Sequence, residues 1–169
     1  MNAPEGLKRL LYDRVLHFAH LTEQLFTTEI AEFSDLARLQ GLASIPSNMT
    51  SVHVIDCIGN NEPINNTSIA EKMNLSKASI TKISAKLLEE GFIKRSRMND
   101  NRKEVYFSLS SKGRQVFDVH AKLHDIIERR FINALGSFSE AELQASLKFV
   151  QTMIDHRDAI VSGDEGGWP

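Results

Sequence analysis

With one cysteine, Cys57, among 169 residues, the chain has no internal disulfide to staple it, which agrees with a reducing compartment. It lacks any run of 18 apolar residues, so no segment reads as a transmembrane helix. The opening MNAPEGLKRLLYDRV has neither the apolar stretch nor the cleavage site of a secretory signal, and the expectation is a soluble cytoplasmic protein without a membrane partner. Also absent are HExxH, GxSxG and a phosphate-binding glycine loop, the local signatures of several enzyme classes. There is no internal repeat and no low-complexity segment. What is present, at 41% apolar residues, is about one domain's worth of globular sequence with enough apolar content to bury a core.

Net charge is small as well, −2, but it is divided unevenly. Residues 1–75 and 115–169 each carry 5 basic and 9 acidic side chains, whereas residues 76–114 carry 10 basic against 4 acidic. By itself a charge run is a solvated face. A +6 centre between two −4 flanks becomes the footprint of polyanion binding once a motif coincides with it.

From Leu7 to about Leu42 apolar residues such as Leu11, Val15, Phe18 and Leu25 keep helical spacing, a length that predicts a bend or break near Glu32 to Gly41. IPSN offers a turn and a helix start before a short apolar helix, Met49 to Ile58, and GNNEP reads as a loop. Two short helices follow, Asn66 to Met73 and Ser76 to Glu90, joined by NL and closed by Gly91. FIKRS and EVYFSLS, separated by the polar RMNDNRK, predict a β-hairpin with a long basic tip. Ser110 then caps a helix from Lys112 to about Leu135, Ser139 caps a last one from Glu140 to Ile160, and SGDEGGWP is a tail.

The segment TSIAEKMNLSKASITKISAKLLEEGFIKR has helix-turn-helix logic in its spacing. Ile69, Ala70, Met73 and Leu75 pack the first helix and turn, while Ile80, Ile83 and Leu87 hold the second helix to the core. On the opposite face of that second helix lie Ala78, Thr81, Lys82, Ala85 and Glu89, flanked by Lys77, Ser79 and Lys86. Small and basic side chains suit entry into a major groove, because bulk there would hold the helix off the base edges. Ser76 caps the helix, whose amino end also faces a phosphate favourably. Arg95, Arg97, Arg102 and Lys103 flank a hairpin tip carrying Asp100, a wing able to reach the backbone or the adjacent minor groove.

In its order of long helix, short helix, IAEKMNLSKASITKISAKLLEEGFIKR, DNR in the wing and LSSKG opening the next helix, the chain resembles the MarR family of bacterial transcription regulators over roughly residues 10–155. The resemblance implies a mainly α fold with a small β-hairpin wing, a winged helix-turn-helix with N- and C-terminal dimerisation helices. It implies one domain over 1–169, with dimerisation helices at about 7–45 and 115–160, a DNA-binding lobe at about 49–112 and a flexible tail at 162–169. The implied partners are a second copy of the chain and double-stranded DNA with a pseudo-palindromic operator. The implied role is that of a regulator, a repressor rather than an enzyme, with Arg102 in the minor groove and Asp100 orienting it.

His120 and His124, four apart in VFDVHAKLHDII, fall on the apolar face of their helix with Val116, Leu123 and Ile127. That spacing lets two imidazoles meet one ion, and His53 is a candidate third ligand. The resemblance narrows here to a zinc-responsive branch of the family, whose metal site uses a histidine of the second helix, a histidine pair after the wing and a carboxylate from the first helix region. It implies a zinc shell of His53, His120 and His124 completed by Glu32 or Asp35, with Glu29 also open, and metal that strengthens operator binding. A second metal site of that branch is not expected, since Val52 precedes His53 and Cys57 follows it by one turn. Cys57 reads as a small core residue, and His17, His20 and His156 as surface or interface residues. Three alternatives stand beside the metal reading: a small aromatic or phenolic effector that releases DNA, a metal-dependent hydrolase using the same histidines, and a winged helix serving only protein interaction.

Overall fold

A computed structural model describes residues 3–96 and 104–162, excluding the side chains of residues 23–27, 96 and 158–162. The order of elements is α1 (Glu5–Leu39), α2 (Met49–Asn61), β1 (Ile64–Asn65), α3 (Asn66–Met73), α4 (Lys77–Glu89), β2 (Ile93–Ser96), β3 (Tyr106–Leu109), α5 (Ser111–Ala134), a 3₁₀ turn at Leu135–Ser137 and α6 (Glu140–Ser162). The chain forms two compact units, residues 1–126 and 127–169, with the boundary inside α5. The mainly helical winged-helix expectation holds.

In the first unit, α1 runs unbroken for 35 residues, and the bend expected near Glu32 is absent. Nothing between Leu7 and Gln40 interrupts its hydrogen-bond ladder, as that stretch has neither glycine nor proline. It ends where Gly41 takes φ +76°, a left-handed conformation that costs a residue without Cβ nothing. Near its carboxyl end, α1 buries Phe33 and Ala37 in a core that includes Val52, Ile55 and Ile58 of α2 and Val116, Val119 and Leu123 of α5.

The lobe from α2 to β3 is set by local chemistry. Asn48, Asn65 and Ser76 cap α2, α3 and α4, each accepting from the backbone N–H three residues on. Asn74 sits at φ 51° and Gly91 at φ 77°, closing α3 and α4 with left-handed turns. The hairpin is antiparallel, with Arg95 opposite Phe107. Its β3 also pairs with β1, a two-residue strand that gives the sheet order β1-β3-β2 and that the short INN stretch did not signal. Glu62 ties this sheet to α5: one carboxylate oxygen accepts from the Leu109 N–H at 2.6 Å and the other pairs with Arg114.

The second unit holds the 3₁₀ turn and α6. Here Ser139 and Glu142 form a reciprocal cap: the Glu142 carboxylate accepts from the Ser139 N–H at 2.8 Å, and Ser139 Oγ accepts from the Glu142 N–H at 3.4 Å. That hydrogen bonding holds the Glu142 carboxyl below its usual pKa. Phe131, Leu147, Val150 and Ile154 are all exposed. Among the described residues no helix is long and apolar enough to cross a membrane.

Candidate nucleic-acid interface and metal centre

In the helix-turn-helix, Ile69 and Ala70 of α3 and Ile80 and Leu87 of α4 are buried as their spacing predicts. Leu75 is the exception. At 38% exposed it belongs to the turn surface, because the left-handed Asn74 swings the chain outward before α4 begins.

Sequence spacing alone did not reveal a polar clamp between the two helices. Ser84, 1% exposed, donates its hydroxyl to Asn66 Oδ1 at 2.8 Å, and Asn66 Nδ2 lies 3.4 Å from Thr81 Oγ1. The first residue of α3 therefore fixes the setting of α4. At the far end, Lys112 Nζ donates to the Glu90 carbonyl at 2.7 Å and stands 4.0 Å over the Phe92 ring, placing a cation at the negative end of the helix dipole.

So held, α4 turns Lys77, Ala78, Ser79, Thr81, Lys82, Ala85 and Lys86 to solvent, as the wheel predicts. Lys86 Nζ donates to Ser47 Oγ at 2.9 Å, linking α4 to the turn before α2. Arg95 on β2 is exposed. The expected wing-tip contacts Arg97, Asp100, Arg102 and Lys103 lie outside the described residues.

A second cluster lies against the core between α1, α2 and α5. His120, 2% exposed, has an acceptor at one ring nitrogen: Nδ1 is 3.3 Å from Asp56 Oδ1. With Nδ1–H given to Asp56, Nε2 keeps its lone pair, and His124 Nε2 approaches it at 3.0 Å. The His53 ring stacks obliquely 5.2 Å from that of His120, and His53 Nε2 stands 3.6 Å from Glu29 Oε1. Burial pushes the His120 pKa below the ordinary imidazole value. The Asp56 hydrogen bond opposes this, and the neighbouring histidines add to the lowering.

Glu29, His53 and His120 each offer a ligand atom within 4.8 Å of the others. Zinc bound at about 2.0–2.1 Å in a tetrahedron sets neighbouring donors roughly 3.3 Å apart, and the observed 3.0 and 3.6 Å pairs straddle that edge. Three imidazoles and a carboxylate, one imidazole held by an outer carboxylate, fit such a dication. The carboxylate that stands with His53 and His120 is Glu29 rather than either of the two favoured from sequence. Asp35 is exposed and pairs with Arg38 at 3.4 Å, and Glu32 is also exposed. Helix phase gives the reason. Glu29 lies four residues before buried Phe33, on the face α1 turns to the core, whereas Glu32 and Asp35 are rotated off it.

Cys57 is half-buried against the core, and burial raises its thiol pKa, as suits an unreactive packing residue. His17, His20 and His156 are exposed. Ile127, expected on the histidine face, is 40% exposed.

A capped second helix with a small and basic outer face, followed by a β-hairpin, defines a winged helix-turn-helix DNA-binding protein. The comparisons agree. The MarR family model matches residues 47–105. The HTH-type transcriptional regulator PchR of Bacillus subtilis is 50% identical over 152 residues, covering 90% of each chain. Streptococcus pneumoniae FabT in complex with DNA superposes with a TM-score of 0.68 at 21% identity, covering 88% of this chain and 99% of that one. Lactococcus lactis ZitR in complex with DNA gives 0.59 at 27% identity, covering 68% and 79%. The chain belongs to the MarR family: it is a DNA-binding transcriptional regulator and not an enzyme.

Proposed function

We propose that the chain is a cytoplasmic homodimeric repressor of a pseudo-palindromic operator, with DNA affinity raised by a divalent metal, zinc foremost, held by Glu29, His53, His120 and His124. The observation that carries the metal half of this reading is the grouping of Glu29, His53 and His120, from three helices, with one ligand atom each within 4.8 Å of the others, and His124 Nε2 3.0 Å from His120 Nε2. ZitR of Lactococcus lactis is itself a zinc-responsive MarR family member, which supports the same assignment here. The ion would supply charge neutralisation and a fixed link between the α1, α2 and α5 segments that carry its ligands.

Dimerisation is supported by apolar side chains that each unit leaves exposed: Leu10, Leu11 and Phe18 on α1 in the first, and Leu147, Val150 and Ile154 on α6 in the second. Both units are then parts of one MarR-like domain over 1–169, with dimerisation helices flanking a lobe at about 49–112. Two copies of α4 would enter successive major grooves, with Ser76 and Lys77 at phosphates, Ala78, Ser79, Thr81, Lys82 and Lys86 facing the groove, and Arg95 on the backbone beside the wing.

The test is metal content and zinc affinity by competition with a chelator, for the native chain and for His120→Ala with His124→Ala, alongside operator binding with and without zinc. Near one tightly bound ion per chain, lost in the double variant and accompanied by tighter DNA binding in the native protein, supports the reading. Absence of tight binding in the native chain refutes the metal assignment and leaves the DNA-binding assignment standing.

A further inference from the structure

Along the outer face of α4 the side-chain hydroxyls are already engaged within the protein. Thr81 Oγ1 donates to the Lys77 carbonyl at 2.8 Å and lies 3.4 Å from Asn66 Nδ2. Its hydrogen is spent within the helix and its acceptor side faces Asn66. Ser79 Oγ and Ser76 Oγ are likewise engaged with each other at 2.8 Å, and Ser76 Oγ also accepts from the Ser79 N–H. What Thr81, an exposed residue, has left to present is its methyl group, flanked one turn to either side by the exposed methyls of Ala78 and Ala85. Thymine is the base that carries a methyl into the major groove, and apolar side-chain contact is how that methyl is read.

We propose that Thr81 is a specificity-determining residue that reads a thymine through its methyl group and not through its hydroxyl, so that each operator half-site carries a thymine facing it. The inference rests on DNA binding by α4 and is independent of the metal assignment.

The probe is a duplex enriched from a random-sequence pool by the full-length wild-type chain, with its thymines then exchanged singly for deoxyuridine, which removes the methyl and nothing else. At one half-site position the exchange is expected to weaken wild-type binding about fourfold, the value of one buried methyl. Thr81→Val, which keeps the methyl and removes the hydroxyl with its Asn66 contact, should show the same fourfold loss on exchange whatever its affinity for the unmodified duplex. Thr81→Ser, which keeps the hydroxyl and its hydrogen bond, should bind about 16-fold more weakly, because both copies of the dimer lose a fourfold contact, and be indifferent to the exchange at that position. Full affinity in Thr81→Ser overturns the proposal. Equal sensitivity of wild type and Thr81→Ser at every exchanged thymine overturns it as well. Circular dichroism of the two conservative variants confirms that both are folded.

Discussion

Gly113→Ala tests how the DNA-binding lobe is joined to α5. Gly113 lies in the first turn of α5, donates its N–H to Ser110 Oγ at 3.0 Å and packs on the backbone of Phe92. A Cβ there would stand 2.0 Å from the Phe92 carbonyl oxygen and 3.0 Å from its carbon. A carbon and a carbonyl oxygen ordinarily approach to about 3.3 Å, so more than an ångström has to be found. The oxygen cannot easily give way. It accepts from the Ser110 N–H at 3.0 Å and the Ser110 hydroxyl at 2.9 Å, and the Phe92 N–H is tied to the Leu87 carbonyl at 2.9 Å. Overpacking typically costs about 1–3 kcal/mol, and one or two hydrogen bonds lost as the segments part add about 1 kcal/mol each. The expected destabilisation is about 2–5 kcal/mol. Gly6→Ala, in the first turn of α1 with nothing within 4 Å of its built Cβ, should instead stabilise by up to about 1 kcal/mol through helix propensity. Urea unfolding followed at 222 nm, at one fixed protein concentration, reads both. With a slope of about 2 kcal/mol/M, Gly113→Ala lowers the midpoint by roughly 2 M. A Gly113→Ala midpoint within 0.5 M of wild type would refute the reasoning.

Three further outcomes follow from the two sites. Asp56→Asn weakens zinc affinity about 10- to 100-fold, measured by chelator competition, because the carboxylate that fixes the His120 ring is lost. With chelator present, stability falls as pH drops below 6.5: the depressed His120 pKa means the unfolded chain takes up a proton first, so the contribution is complete above 6.5 and is lost towards the lower folded value. Urea midpoints measured from pH 8 to pH 5 should show this slope, and it should be shallower in His120→Asn. Lys77→Ala weakens binding to specific and random duplexes alike and lowers the slope of log affinity against log salt by about 1 for each phosphate contact removed, read by fluorescence anisotropy across a salt series.

Much of the lobe was legible because its chemistry is local. Ser76, Asn74 and Gly91 mark helix ends by their own backbone preferences, and Ile80, Ile83 and Leu87 repeat at helical spacing. Those signals do not depend on distant residues. Two elements depended on what lay across the fold. Ser84 reads as an ordinary small residue on a helix until Asn66, 18 residues earlier, is placed against it. The strand β1 is only two residues long, and its existence comes from pairing with Tyr106 and Phe107 rather than from any preference of Ile64 and Asn65. In the histidine cluster the pair His120 and His124 was legible from i, i+4 spacing, but the carboxylate needed the phase of α1. Phe33 and Ala37 carry that phase, and the expected break at Glu32 obscured it.

The Asn66–Ser84 hydrogen bond has a bearing on how such a regulator changes over generations. Replacing Asn66 alone strands a buried hydroxyl, and replacing Ser84 alone strands the amide oxygen, so either single step passes through a weakened protein. The two codons are expected to be inherited as a pair or to change together within a lineage. Ala78 and Lys82, on the outer side of the same helix, make no such bond to Asn66 or Ser84. A duplicated gene could therefore acquire a new set of target promoters by substitutions at those positions while the angle between its two DNA-binding helices is passed on unaltered.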